Sequence, residues 1–262
     1  MKKLLALVLA LCLVLGVSAA LADTFKMGID PEYDPFSYMG DDGSYTGFDV
    51  DVCKAACDLL GLEWEAVPVD WDFKLQMLDA KDVDCIWSGM TILDSMKEAG
   101  YVLSAPYYES AQVLVVRADS GIEASTDLAG KVVAVQLGTS GATLLEKDLA
   151  DWSAIFESIS LLGSFNLCFK ELEGNAADAV FVDLPVAEKY VSTHPELKIL
   201  DEKLGAEEYG ICFRNGDDEL CAKIEGAVAE LVASGAYAEI AQKYAEEYPD
   251  LLDNLIFLKS AE

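Results

Sequence analysis

Several polar residues come directly after short apolar runs, where a β-strand would deliver them to a ligand. The apolar run of residues 83–87 ends in Ser88 and Gly89, and Thr91 follows. Such a run is typical of a strand buried on both faces, and open α/β sheets bind ligands at the carboxyl ends of their strands. Gly89 would let the backbone approach a ligand, Ser88 could expose its carbonyl, and the Thr91 hydroxyl could donate or accept a hydrogen bond. Taken alone, Ser88-Gly89 also fits an ordinary strand-to-loop turn.

Two other loops offer carboxylates beside aromatic rings. Asp30 and Tyr33 follow a predicted strand, and Trp71 follows another. A cation or planar group on the Trp71 ring could gain ~0.5–2 kcal/mol. The alternatives are structural. Asp30 could cap backbone amides in a Pro-rich turn, and Asp72 could cap a helix while Trp71 folds back on the core.

Two positions in the second half of the sequence could bind the charged ends of a small molecule. Gln136 to Ser140 precede a predicted helix, so free backbone amides there could bind an anion such as a carboxylate. Asp183 follows the apolar run 179–182, and a carboxylate buried there requires a cation or several donors. Helix capping, by Thr139 or Ser140 in the first case and by Asp183 in the second, is the alternative.

Alternating strands and helices must position these residues. Strands are predicted at residues 25–29, 64–69, 83–87, 112–116, 132–136, 179–182, 197–200 and 209–213. Helices are predicted from about residue 49 to 60, over 73–78, from 142, from 185 through 190, and over 219–232 and 236–248, with Gly61 ending the first. This alternation predicts a mostly parallel sheet with helices on both faces.

The first 22 residues have the layout of a secretory signal peptide: Lys2 and Lys3, an apolar stretch over 4–17, and an Ala-Leu-Ala cleavage site ending at Ala22. The stretch is shorter than the ~20 residues that span a bilayer, so a membrane anchor is the weaker interpretation. Cleavage would change the formal net charge from −29 to −31 because it removes two lysines. We expect an exported protein, periplasmic or extracellular, that binds no nucleic acid, since phosphate binding needs clustered basic residues.

The sequence gives little support to catalysis or to a metal site. Six cysteines follow the leader without a C-x-x-C motif, and His194 is the only histidine, so we expect no zinc site. Most cysteines should be buried hydrophobes, although spacing leaves a Cys212–Cys221 disulfide open. There is no Gly-x-Ser-x-Gly elbow, and the turn 138–141 lacks the lysine of a phosphate-binding loop. We expect no catalytic residue and no cofactor.

The segments SGMT at residues 88–91 and SAPYY at residues 104–108 together resemble the polar amino-acid branch of the extracellular solute-binding proteins, family 3, which feed ABC importers. The resemblance covers nearly the whole chain after the leader. It implies an α/β, two-lobed periplasmic-binding-protein-like fold of type II, in which two mostly parallel sheets with flanking helices are joined by a two-strand hinge. It places lobe 1 at residues 23–111 and 206–262, and lobe 2 at residues 112–205.

The resemblance also implies roles for the residues introduced above. Asp30 and Tyr33 would wall the ligand, Trp71 would stack on it, and Asp183 would bind its ammonium group. The same resemblance supports ligand contacts at Ser88, Gly89, Thr91, Gln136 and Ser140.

One residue of the family pattern is absent. Family members have an arginine shortly after the Gly-x-Thr step that clamps the ligand carboxylate, whereas this chain has DSMK at residues 94–97. A lysine offers a point charge in place of a bidentate guanidinium. Either Lys97 pairs with the carboxylate, or the ligand is an amine held by Asp30, Trp71 and Asp183. Backbone amides alone would be a third solution.

Taken together, these features predict a monomeric exported solute-binding protein that closes over a small polar ligand, an amino acid or related amine, and delivers it to an ABC transporter permease. One alternative is a periplasmic enzyme on the same scaffold, similar to the dehydratases of aromatic-acid precursors. A ligand-binding sensor is another, but the sequence after Ala22 has no segment that could anchor a signalling partner.

Overall fold

The computed structural model describes residues 24–259, so the predicted signal peptide lies outside the described residues. The strands are β1 Phe25–Ile29, β2 Glu32–Tyr33, β3 Ser37–Met39, β4 Tyr45–Thr46, β5 Trp64–Pro68, β6 Cys85–Ile86, β7 Val102–Leu103, β8 Tyr108–Arg117, β9 Val132–Gln136, β10 Ser158–Leu162, β11 Ala179–Asp183, β12 Leu197–Ile199, β13 Gly205–Tyr209 and β14 Cys212–Phe213. The α-helices are α1 Phe48–Leu60, α2 Lys74–Asp79, α3 Asp94–Glu98, α4 Ser140–Glu146, α5 Ala150–Ser153, α6 Phe165–Glu173, α7 Leu184–Thr193, α8 Asp218–Ser234, α9 Ala236–Ala245, α10 Leu251–Asn254 and α11 Ile256–Lys259. Two 3₁₀-helices cover Trp71–Phe73 and Ser125–Leu128.

The first large sheet has the strand order β5-β1-β6-β14-β7. β1 pairs in parallel with β5 and β6, and β14 adds antiparallel pairs with β6 and β7. Helix α1 packs against α8 and α9 beside this sheet. Because β14, α8 and α9 come from the C-terminal part of the chain, two separate segments build the first lobe.

The second large sheet has the order β10-β9-β11-β8-β12, with β13 also paired to β8. β9 pairs in parallel with β10 and β11, whereas β8 is antiparallel to β11, β12 and β13. Both large sheets are therefore mixed: parallel pairs of the predicted kind are extended by antiparallel strands. A small antiparallel sheet, β2-β3-β4, lies apart from them.

Two neighbouring strands connect the lobes. β8 follows β7 of the first sheet but belongs to the second, and β13 lies beside β8 before the chain returns to β14 of the first sheet. In this pair Tyr209 lies opposite Tyr108, and Gly205 lies opposite Gln112. The lobe boundaries expected at residues 111/112 and 205/206 fall within the pair, and we keep them as a proposal.

Some strand bounds predicted from the apolar pattern are confirmed, and one predicted strand is wrong where the chain passes from one sheet to the other. β1 and β9 have the predicted bounds, and Gly61 ends α1 in the left-handed conformation with φ 65°. The single strand predicted at 209–213 is wrong, because the chain divides there into β13 and β14 of different sheets. At Gly210, between them, a Cβ would lie 2.6 Å from Ile92 Cδ1, so this change of sheet requires a residue without a side chain.

The cysteines follow the expectation for small buried side chains. Cys53, Cys57, Cys85, Cys168, Cys212 and Cys221 are all buried and free. The Cys212–Cys221 bridge that spacing left open is therefore not formed. From residue 24 to residue 259, the helices are all too short or too polar to cross a membrane.

Candidate ligand-binding site

The lobes meet across a cleft in which side chains of both are hydrogen-bonded to each other. Gln136 Nε2 donates to Asp30 Oδ2 at 2.8 Å, and Thr91 Oγ1 lies 3.2 Å from Ser140 Oγ. At Gly138, a Cβ would lie 2.6 Å from a Cα atom of the facing lobe. The cavity that remains has a volume of about 20 Å³, which accommodates about one water molecule. A ligand therefore requires the lobes to separate.

Both lobes contribute to the walls of this cavity. The first supplies Tyr33, Trp71, Lys74, Gly89, Met90, Thr91, Leu93 and Met96, and the second supplies Gly138, Thr139, Ser140, Phe165 and Asp183. Six of the ten residues predicted from the sequence thus line the cavity. Asp30, Ser88, Gln136 and Lys97 are not among its walls.

Two buried carboxylates lie beside the cavity and share one amide donor. Asp183 ends β11 and Glu207 lies in β13, on either side of Gln112 in β8. Gln112 Nε2 lies 2.8 Å from Asp183 Oδ1 and 3.2 Å from Glu207 Oε1. Asp183 occupies the N-cap position of α7 but makes no capping hydrogen bond with its side chain. The geometry therefore disfavours the capping alternative for Asp183.

Hydroxyl groups complete the surroundings of this acidic pair. Thr91 Oγ1 donates to Glu207 Oε2 at 2.8 Å, and Ser140 Oγ donates to the same oxygen at 3.0 Å. Tyr209 OH lies 3.4 Å from both Asp183 Oδ1 and Glu207 Oε1, and 2.6 Å from Tyr33 OH. The hydroxyls come from both lobes and converge on the two carboxylates.

The acidic pair is electrostatically uncompensated. Burial raises the pKa of Asp183 well above its usual range, and the neighbouring Glu207 carboxylate raises it further. Between residues 24 and 259, none of the salt bridges involves either carboxylate. A bound cation would relieve both effects, because it favours the charged form of a carboxyl group.

Asp30 and Ser88 have contacts that fix the loop after β1. Asp30 Oδ1 accepts the Glu32 backbone N–H at 2.9 Å, as the capping alternative requires, while its other oxygen accepts from Gln136. Ser88 is fully buried, and its Oγ accepts the Asp30 backbone N–H at 3.0 Å. Burial raises the pKa of Asp30, and the hydrogen bond from Gln136 opposes that shift. In this closed arrangement Asp30 is a link between the lobes.

The aromatic residues combine contact with the cavity and packing. Tyr33 lies so close to Gly89, which has φ 55°, that a Cβ there would be 2.1 Å from the Tyr33 ring. Trp71 is 7% exposed and packs with Val69, Leu78, Met90 and Met96, among others. The predicted cap of the following helix is corrected: Asp70, and not Asp72, accepts the backbone hydrogen bond at the start of the 3₁₀-helix.

The helix after Gly138 supports both interpretations of its sequence. Thr139 Oγ1 accepts the Ala142 backbone N–H at 3.1 Å and so caps α4. Ser140, the next residue, turns its hydroxyl toward Glu207. The capping role and the cleft role thus fall to adjacent residues.

The two lysines near the cleft are placed differently from the expectation. Lys97 lies on α3, its side chain is 57% exposed, and it pairs with Asp94 at 3.2 Å. The structure therefore does not bring Lys97 to the cavity. Lys74, which sequence reasoning missed, is 6% exposed, and its Nζ donates to Trp71 O at 3.0 Å and to Gly138 O at 2.6 Å. Burial lowers the pKa of Lys74 to about 8.

Sequence reasoning did not assign Lys74, Gln112, Glu207 or Tyr209 to the cleft. Glu207 was missed because the strand was predicted to begin at Tyr209. The period of two in β13, in which Glu207 and Tyr209 are buried and Glu208 is exposed, was the available signal. Lys74 lies three residues after Trp71, a spacing that places two side chains on the same helical face.

A group of possible metal ligands lies away from the cleft. Glu173, His194 and Glu196 each place one ligand atom within 4.8 Å of the others; both glutamates are exposed and the histidine is half-buried. His194 Nε2 lies 3.6 Å from Glu173 Oε1, and its other ring nitrogen contacts the Tyr190 carbonyl. These contacts among surface side chains account for the grouping.

Comparison with known proteins gives a consistent result. The family model for bacterial extracellular solute-binding proteins, family 3, matches residues 25–247. The L-cystine-binding protein TcyJ of Escherichia coli K12 is 30% identical over 252 residues, which cover 90% of this chain and 92% of that protein. The histidine-binding periplasmic protein of the same strain is 31% identical over 258 residues, covering 93% and 97%.

Solved structures agree in fold. A substrate-binding protein of an ABC uptake transporter from Streptococcus pneumoniae, with bound histidine, superposes with a TM-score of 0.80 at 28% identity and covers 84% of this chain and 92% of that one. A mutant of ArgBP from T. maritima gives a TM-score of 0.78 at 34% identity, covering 85% and 95%. The two-lobed α/β fold expected from the sequence is confirmed.

Proposed function

The chain belongs to the bacterial extracellular solute-binding proteins, family 3, and we propose that it is exported, captures an amino acid between its lobes and delivers it to the permease of an ABC importer. The relatives named above bind cystine or histidine, and the solved structure from S. pneumoniae contains histidine. Their chemistry, an ammonium and a carboxylate on one carbon, is the ligand class that we assign. We propose that the protein acts as a monomer and without catalysis.

The observation that carries the proposal is the acidic pair Asp183 and Glu207. Two buried carboxylates held beside one amide repel each other when both are charged, and burial removes part of their hydration. A buried carboxylate keeps its charge only when a cation pairs with it; otherwise its pKa rises and it takes up a proton. An ammonium group has three donors and a positive charge, so it can satisfy oxygens of both carboxylates at once.

We assign the remaining residues by their positions on the cavity wall. Tyr33 and Trp71 would cover the ligand side chain, and Gly89 and Thr91 would offer backbone and hydroxyl contacts from the first lobe. Ser140 would contribute from the second lobe. Asp30 and Gln136 would link the lobes once the ligand is enclosed, because they already contact each other in the closed form.

Titration calorimetry of the ligand-free protein with L-arginine, L-histidine and L-cystine tests this function. We expect saturable 1:1 binding of at least one of them, with a decrease in the radius of gyration by small-angle scattering as the lobes close. The bound molecule should be recovered unchanged by mass spectrometry, which separates a carrier from an enzyme on the same scaffold. Absence of binding to any amino acid would contradict the proposal. Loss of uptake of the same amino acid on deletion of the gene would test delivery to the permease.

A further inference from the structure

The cleft contains a buried lysine, Lys74, that was not among the site residues predicted from the sequence. Among the described residues that line the cavity, Lys74 is the only lysine or arginine. It lies at the start of α2, next to Trp71, with Nζ 4.7 Å from the centre of that ring. Met96, buried at 7% exposure, lines the same cavity within the DSMK segment where the family pattern has its arginine, but its thioether carries no charge.

Lys74 has unusual partners for a buried ammonium. Its two hydrogen-bond acceptors are backbone carbonyls, of Trp71 in the first lobe and Gly138 in the second. Both are neutral, and none of the salt bridges found between residues 24 and 259 includes Lys74. An ammonium group has three donors, so at least one remains for a further acceptor. A carboxylate would be a stronger partner than a carbonyl, because both groups would be charged.

We propose that Lys74 binds the carboxylate of the ligand and so replaces, from a different element, the arginine that this chain lacks. The inference rests on the proposed function, since it specifies how the same site holds an amino acid. Ligand entry requires the lobes to separate, and separation removes the Gly138 carbonyl from Nζ because the two atoms belong to different lobes. The open form therefore presents Lys74 with a free donor, at the same cavity as the acidic pair that would hold the ammonium group.

The preference of the protein for amino acids over their decarboxylated amines tests this assignment. We would measure affinities of the wild type for L-arginine and agmatine, L-histidine and histamine, and L-cystine and cystamine. Lys74→Met removes the charge and keeps the length of the side chain. For the amino acid that the wild type binds, we expect the affinity of this variant to fall about 10- to 100-fold, while the affinity for the amine changes little.

Lys97→Met is the matched control, because this exposed lysine lies close to the cleft in sequence but not at the cavity. It should leave both affinities unchanged. Met96→Arg combined with Lys74→Met should restore the preference for the amino acid, since the guanidinium would enter the same cavity. A crystal structure of the wild type with its amino acid, which requires no variant, should show a carboxylate oxygen within hydrogen-bond distance of Lys74 Nζ.

Several results would overturn the inference while leaving the proposed function intact. If Lys74→Met lowers the affinities for the amino acid and the amine equally, Lys74 only helps to hold the lobes together. An unchanged preference of Lys74→Met for the amino acid over the amine would also exclude a role of Lys74 in binding the carboxylate. So would a crystal structure in which only other groups contact that carboxylate. If the wild type binds none of the amino acids, the proposed function fails and this inference fails with it.

Discussion

The acidic pair and Lys74 lie at the same cleft but are stabilised in opposite ways. Asp183 and Glu207 face side-chain donors, and burial together with the like charge of Glu207 raises the pKa of Asp183. Lys74 faces the Trp71 carbonyl of its own lobe and the Gly138 carbonyl of the other, so only the second contact depends on closure. The comparison indicates that the two carboxylates are held together within the second sheet, whereas one of the two hydrogen bonds of Lys74, to the Gly138 carbonyl, forms only where the lobes meet.

Substitution within the acidic pair should have the largest effect on binding. Asp183→Asn removes one partner of the charge pair that we propose with the ligand ammonium, so we expect affinity to fall by about 2–5 kcal/mol. Calorimetric titration measures this loss. The ligand-free protein should keep its thermal stability or gain some, because the substitution removes repulsion between Asp183 and Glu207. Retained affinity together with a less stable ligand-free protein would instead make Asp183 a structural residue.

Preventing close approach of the lobes should affect binding next most strongly. Gly138→Ala would place a Cβ 2.6 Å from Asp72 Cα in the facing lobe, at a backbone with φ 75°. We expect affinity to fall by about 1–3 kcal/mol, the usual cost of one local steric strain, because the clash with Asp72 exists only in the closed form. The scattering radius of the saturated protein should stay larger than in the wild type.

Gly130→Ala separates this effect from backbone strain. Gly130 also has a positive φ, 70°, but a Cβ there would meet no atom within 4 Å. Both variants should therefore lose similar stability without ligand, and only Gly138→Ala should lose affinity. If the two variants bind equally, the close approach at Gly138 does not matter for capture.

The same comparison shows what the sequence could and could not predict. Asp183 was found because an apolar strand directly precedes it, and that signal is local. Glu207 and Gln112 were not found, since their roles depend on pairing between β8 and β13, which are far apart in sequence. Lys97 was named as a candidate and Lys74 was not considered, because the family resemblance directs attention to the segment after Thr91. Only the packing of α2 and α3 decides which lysine is buried. The predicted bounds of β1 and β9 are exact, whereas the strand predicted at 209–213 divides where the chain changes sheets, and β10 was not predicted.

Removing the aromatic wall should weaken binding less than the changes above. Trp71→Ala takes away a ring that lines the cavity, and we expect affinity to fall by about 0.5–2 kcal/mol. Ligand addition should change the intrinsic fluorescence of the wild type, and part of this change should disappear in the variant. Because Trp71 also packs in the first lobe, thermal unfolding without ligand is the control. Loss of soluble protein would favour a role in the core alone.

The smallest effect on affinity is expected behind the cleft, at Asp49. This fully buried carboxylate accepts hydrogen bonds from the Gly89 backbone N–H at 2.8 Å and from Tyr107 OH at 2.6 Å, so it supports the cavity without lining it. Burial raises its pKa to about 7. A raised pKa means that the folded state binds the proton more tightly than the unfolded state, so the stability that this group contributes is complete below about pH 4 and is lost as the pH rises through 7.

Asp49→Asn should therefore leave ligand affinity at neutral pH nearly unchanged while it flattens the dependence of stability on pH. Between pH 4 and pH 8, we expect the wild type to lose about 1–4 kcal/mol more unfolding free energy than the variant. Denaturant titrations at a series of pH values measure the difference. Asp183→Asn should flatten the same profile in the ligand-free protein but not in the saturated one, because a bound ammonium keeps that carboxylate charged. Asp49 has no such ligand, so its contribution should be the same with and without the amino acid, and a ligand-dependent Asp49 contribution would mean that the cavity extends behind Gly89.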